Sequence, residues 1–205
     1  MRRRLILLLA GVFACLLVRT ACLSAAAAAD SGSLEPPTDL PTLMAALAKV
    51  EQMDAIFEES KEMTALETPL VSRGFLRYRA PNVLEKEVLQ PQPALYRIDG
   101  DRITVDGPAV SRRDFSIDQY PGVRTLVESV RATLAGDEPT LERYFRVAFL
   151  TDASGWQLRL EPLDQTIARQ VVAIIIGGTG NSPRRVETLE SGGDRTVMTI
   201  TPVTE

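Results

Sequence analysis

Two stretches of this chain are cut into runs too short for ordinary helices. Between Leu70 and Val105, prolines at 81, 91 and 93 and the turn Asp99-Gly100-Asp101 leave residues 72–79, 84–89, 95–98 and 103–105 as separate segments. Proline donates no ladder hydrogen bond, and Asp-Gly favours tight hairpins, so these segments predict an antiparallel strand meander. Within "SRGFLRYRAP", alternation puts Leu76, Tyr78 and Ala80 on one face and Arg73, Phe75, Arg77 and Arg79 on the other. A second meander is expected over 145–150, 156–163, 167–176, 185–189 and 197–201, with "DASG" as a turn. "VVAIII" is apolar on both faces, which predicts cover on both sides.

Between the meanders the period changes. Val123, Leu126, Val127, Val130 and Leu134 recur at helical spacing after Gly122, and Gly136 stops them. Asp137 and Pro139 open a shorter helical stretch before Tyr144. An earlier helix is expected from Leu40, Leu43, Leu47 and Val50, with Asp39 as cap and Pro41 in the first turn. In "AIFEESKEM", either the helix continues or a strand begins with Phe57 inward; propensity alone favours helix.

The first residues read as an address. Arg2, Arg3 and Arg4 precede an apolar run over 5–18, and "SAAAAAD" offers small residues for cleavage after Ala29, so 1–29 is expected to be a signal peptide. A lipoprotein anchored through Cys22 is the alternative, weakened by Arg19 where an apolar residue is usual. Residues 30–39 make a polar lead-in, and 40–205 one domain. Cleavage would remove both cysteines, Cys15 and Cys22, from a chain that has no histidine. Cys–His and Ser–His–Asp sites, and zinc sites built on these ligands, are thereby excluded from the mature chain. Cleavage also removes Arg2, Arg3, Arg4 and Arg19 but no acid, making an already acidic chain (net −4) more so, which argues against nucleic acid as a partner.

Three motifs have plain alternatives. "IIIGGTGN" carries Gly178 and Gly180, but Pro183 stands where a dinucleotide fingerprint needs its third glycine, so a hairpin turn fits better. Glu85, Glu87, Asp99, Asp101 and Asp106 offer carboxylates, but nothing in the sequence sets two across a cleft. Trp156, the sole tryptophan, is expected in the core or at its rim.

The order helix, meander, helical insertion, meander resembles the LolA/LolB family of periplasmic lipoprotein carriers, and its LolA-related branch most. The resemblance runs over 40–201 and rests on "PLVSRGFLRYRAPNVLEKEVLQPQP", "YRIDGDRITV", "WQLRLEPLD", "VVAIIIGGTG" and "PRRVETLESGGDRTVMTI". It implies an α+β fold: an incomplete, half-open antiparallel β-barrel covered by a helical lid. It further implies a non-enzymatic monomer without cofactor or metal, carrying lipidic or acylated cargo in an apolar cavity toward the outer membrane. An inner-membrane donor, an outer-membrane acceptor and transient membrane contact would be its partners. The expected cavity lining is Leu76, Tyr78, Leu84 and Val88 from early strands, Leu126, Val127, Val130 and Leu134 from the lid, and Val172, Ile174 and Ile176 from the late sheet. Three departures accompany the resemblance. Ala80 stands where carriers place a lid-holding arginine, Lys86 where they place a cavity aromatic, and the chain stops at "TITPVTE" where carriers continue. A different acyl or polyene-type cargo is therefore expected to be within reach. Two other roles stay open: an interaction subunit of an envelope assembly without lipid cargo, and a hydrolase using carboxylates or Ser/Lys.

Overall fold

The computed structural model describes residues 37–108 and 110–203. The expected signal peptide, with Cys15 and Cys22, lies outside them. Helix α1 (Leu40–Leu47) starts where the sequence predicts: Asp39 caps it by accepting from the Thr42 amide at 2.8 Å, and Pro41 occupies its first turn. Strands β1 (Gln52–Glu62), β2 (Leu70–Arg79), β3 (Val83–Gln90), β4 (Ala94–Asp99), β5 (Arg102–Gly107) and β6 (Val110–Ser116) follow as a meander. A 3-10 turn leads into α2 (Pro121–Ala135), and α3 (Glu138–Tyr144) comes next. Strands β7 (Phe145–Asp152) and β8 (Gly155–Pro162), the single turn α4 (Gln165–Ala168), and β9 (Val171–Thr179), β10 (Ser182–Glu190) and β11 (Arg195–Pro202) complete the chain.

All these strands form one antiparallel sheet in the order β6-β5-β4-β3-β2-β1-β11-β10-β9-β8-β7. The two meanders join where β1 pairs with β11, with Phe57 opposite Ile200. The sheet therefore has two free edges, β6 and β7, and the chain between those edges is the helical insertion. This is the expected α+β fold with an open, half-barrel sheet.

Three local expectations are corrected. The ambiguous "AIFEESKEM" is β1, a central strand, with Phe57 and Ala55 buried. Helix propensity loses there because the segment is paired along both edges, with β2 and β11. The expected strand from 167 begins at Val171 instead, because Asp164 accepts from the Thr166 and Ile167 amides and turns those residues into α4. "VVAIII" is covered on both faces at Ala173 and Ile174, which are both buried, but not at Val172, which is 44% exposed. The register shifts between Leu189 and Glu190, which pair with Ala173 and Val171, so Val172 is the extra residue of a bulge. The bulge turns Val171 into the core and Val172 out.

Apolar packing concentrates at the two flanks of the concave side. Leu43, Met44 and Leu47 of α1, Ala132 of α2 and Leu141 of α3 pack on Phe145, Trp156, Leu158, Leu160 and Ile174. At the other flank Val123 and Val127 of α2 pack with Ile103 and Ile117. Helix α2 thus spans the mouth like a strap, and Gly136 ends it in the left-handed conformation (φ 65°).

In "IIIGGTGN", Gly180 (φ 55°) makes the β9–β10 turn and Gly178 serves packing. Trp156 donates its indole N–H to the Gly180 carbonyl at 2.8 Å, and a Cβ on Gly178 would stand 2.4 Å from the Trp156 ring. Gly178→Val is expected to destabilise the protein by about 2 kcal/mol, the scale of an overpacked core site, read as a lower urea midpoint with an unchanged slope.

The cationic face of β2 turns outward and is paired: Arg73 with Glu58 at 2.7 Å, Arg77 with Glu87 at 2.9 Å and Arg79 with Asp54 at 2.9 Å. The same ladder recurs at Glu187, which accepts from Arg195 Nε at 2.6 Å and Arg185 Nη2 at 3.0 Å. The Arg195 hydrogen bond leads in holding the Glu187 carboxyl below its ordinary 4.5. A depressed folded-state pKa gives stability that is complete above 4.5 and is lost as pH falls through the lower folded value. Urea midpoints should accordingly fall as the solution is acidified below pH ~4.5, and less steeply in Glu187→Gln.

Candidate functional site

Between the packed flanks, α2 does not touch the middle of the sheet, and a cavity of about 310 Å³ remains there. That is the lower end of the ~300–1,000 Å³ range of small-molecule sites. Inward alternation supplies its wall: Leu76 and Tyr78 from β2, Leu84 and Val88 from β3, Ile176 from β9 and Ile200 from β11. Helix α2 supplies the roof with Leu126, Val127, Val130 and Leu134, spaced so that all four face the sheet.

The expected lining is therefore mostly brought together. Leu76, Tyr78, Leu84, Val88, Leu126, Val127, Val130, Leu134 and Ile176 all border this one space. Two expected residues do not. Val172 is turned out by the bulge, and Ile174 is sealed in the packed flank beneath α1 and α3. Sequence reasoning missed Tyr96 and Ile98 of β4 and Met198 and Ile200 of β11. Hairpin register was the available signal, since Lys86 faces Tyr96 and Leu84 faces Ile98 across β3 and β4.

The wall is not apolar throughout. Where β1 ends and β2 begins, Glu59 and Lys61 border the cavity, joined by Lys86 from β3 and by Thr188 and Thr196; Arg77 and Glu85, paired with each other at 3.7 Å, also border it. Lys86 Nζ donates to both Glu59 oxygens at 2.8 Å and lies 4.9 Å from the centre of the Phe57 ring. Ser72 Oγ donates to Glu59 at 3.4 Å. Lys61 Nζ donates to Glu190 Oε1 at 3.0 Å. Gly74 sits opposite Phe57, and a Cβ there would stand 1.8 Å from the Glu87 carbonyl oxygen and 3.0 Å from the Phe57 ring, so the missing side chain admits the neighbouring β3 backbone first and the aromatic second. Elsewhere on the wall, the buried Tyr78 hydroxyl has no hydrogen-bond partner among the described residues, and burial pushes its phenol above the usual 10.0. Burial, with Glu59 nearby, does the same to Tyr96. Both phenols stay neutral donors at physiological pH.

The roof is tied to the sheet by polar contacts outside the cavity. Arg131 of α2 donates to the Gly100 carbonyl at 3.2 Å and pairs with the buried Glu128 on its own helix. Arg124 reaches Asp101 at 3.2 Å and also pairs with Asp118. The β4–β5 hairpin thus holds α2 by polar ties beside the flank where Val123 and Val127 pack on Ile103, while Ala80 is exposed. An apolar chamber with neutral phenols, one charged end and a tethered helical roof can dehydrate and hold a hydrophobic molecule.

A family model for outer membrane lipoprotein carrier protein LolA-like proteins matches residues 28–201. No curated protein sequence matches the chain. Among solved structures, a LolA superfamily protein from Nitrosomonas europaea aligns with a TM-score of 0.42 at 9% identity, covering 80% of this chain and 93% of that one. A domain described as an outer membrane lipoprotein-sorting protein, from Vibrio parahaemolyticus, gives 0.42 at 11% identity over 78% of this chain and 88% of that one. The MucA/MucB complex of Pseudomonas aeruginosa gives 0.43 at 13% identity over 80% of this chain, which spans only 56% of the matched chain.

Proposed function

Since the chain belongs to the family of outer membrane lipoprotein carrier protein LolA-like proteins, we propose that it is a periplasmic carrier which takes a lipidic or acylated cargo into the chamber under α2 and hands it on toward the outer membrane. The observation that carries this role is the chamber itself, about 310 Å³ between an apolar sheet face and an apolar helix face. Burying an acyl chain there yields about 0.8 kcal/mol per methylene, with no chemistry required. Handing it on needs α2 to move away from the sheet. Its middle rests on the chamber, so release has to undo the apolar packing of Val123, Val127 and Ala132 at the two flanks together with the ties of Arg131 to Gly100 and Arg124 to Asp101.

No helix among the described residues is long and apolar enough to cross a membrane. Within the proposed role, a cleaved leader delivers the chain to the periplasm, membrane contact is transient, the carrier acts as a monomer, and donor and acceptor proteins sit at the two membranes.

One observation favours an interaction role instead. Ile56 and Phe75, cross-strand neighbours on the outward face, are 49% and 36% exposed. The two roles part in a titration with the hydrophobic dye 1-N-phenylnaphthylamine. A carrier binds the dye saturably with enhanced, blue-shifted emission and releases it to an acyl competitor. A protein that leaves the dye unbound does not carry lipid in this chamber.

A further inference from the structure

The charged end of the chamber calls for an explanation that an all-apolar cargo does not provide. Lys61 and Lys86 on the wall are matched by Glu59 and Glu190, two ammonium groups against two carboxylates. The Lys61 side chain is only 5% exposed, yet its ammonium has one acceptor, Glu190 Oε1, among the described residues. An ammonium has three donors, so Lys61 keeps two for an incoming acceptor and Lys86, bound to both Glu59 oxygens, keeps one. Buried donors in folded proteins are ordinarily filled. The pairs are already charge-balanced, so a carboxylate or phosphate entering here would leave a net negative charge in a low-dielectric space. A carbonyl oxygen accepts the same hydrogen bonds without adding charge.

We infer that this end reads the head of the cargo, accepting an acyl chain through the carbonyl of a neutral ester or amide linkage and discriminating against both bare hydrocarbon and free fatty acid. This deepens the carrier role and rests on it. Lys61 and Lys86 are the discriminating residues, and the apolar wall from Leu76 to Ile200 takes the chain whatever its head.

The test is displacement of 1-N-phenylnaphthylamine at pH 7 by four ten-carbon probes: methyl decanoate, N-methyldecanamide, decanoate and decane. The ester and the amide are expected to displace the dye at concentrations at least about tenfold lower than decane, the scale of one hydrogen bond to a charged donor, with decanoate no better than the ester. In the Lys61→Met/Glu190→Gln double variant, which removes both charges together, that advantage should shrink to within twofold while decane competes as before. Lys86→Met/Glu59→Gln provides the same comparison if the first variant does not fold. Equal displacement by all four probes, a preference for decanoate, or an ester advantage that survives both double variants would overturn the inference and leave the carrier role standing. Dye that no probe displaces would remove the carrier role itself, and this inference with it.

Discussion

Leu126→Glu is expected to lower affinity for an acyl ligand roughly a hundredfold or more, while the protein stays folded. Leu126 lies on the roof of the chamber, half-buried, with the cavity on one side and the flank cluster on the other. In the empty protein the new carboxylate can keep water in the chamber. Ligand entry would have to strip that water and would forfeit the leucine contact, worth about 1.5–3 kcal/mol on its own. Two such terms exceed the 2.8 kcal/mol that corresponds to about a hundredfold in affinity. Circular dichroism melting together with the dye titration separates binding from folding. A variant that melts before it can be titrated would make α2 a core helix rather than a roof.

The second large effect concerns stability. Glu190→Ala is expected to destabilise the protein by about 3 kcal/mol, because it leaves the nearly buried Lys61 ammonium without its acceptor. The double variant Lys61→Met/Glu190→Ala should recover most of that loss, since no isolated charge remains. Urea unfolding of the two single variants and the double one closes the cycle. A Glu190→Ala protein as stable as the parent would mean that Lys61 reaches water through the chamber, and that the charged end is solvated rather than dry.

Much of the fold is legible in the sequence because turn chemistry and hydrophobic period agree there. The prolines at 81, 91 and 93 and the Asp99-Gly100-Asp101 turn bound β2 to β5 where expected, and α2 runs between Pro121 and Gly136 as its apolar spacing requires. The misreadings occur where local signal and tertiary pairing diverge. "AIFEESKEM" is rich in good helix formers, and only its two paired neighbours make it β1. β6 (VSRRDFS) shows no apolar alternation, being exposed from Ser111 to Asp114, and is too polar to stand out from a loop.

The site divides in the same way. The resemblance implied a chamber, and period told which residues of the regular strands and of α2 share the face turned toward it, so Leu76, Tyr78, Leu84 and Val88 and the four α2 residues border the cavity. Val172 could not, because a bulge cancels the alternation on which its placement depended. The charged end was hidden for a different reason. Glu59 and Lys61 lie in the segment that reads as helix, and Lys86 alone, without its partner, is only a departure from an aromatic pattern. The pairing of Lys86 with Glu59 spans β2, a relation between three strands that no local window contains.

The central claim is that the chamber holds a lipid-like cargo, and native mass spectrometry of the full-length gene product purified from a Gram-negative periplasm addresses it most directly. The account predicts a lipid-sized adduct on the native protein that departs on denaturation, leaving a chain that begins at Asp30. A native protein that flies without adduct, and stays bare after incubation with an acyl ligand, would contradict it.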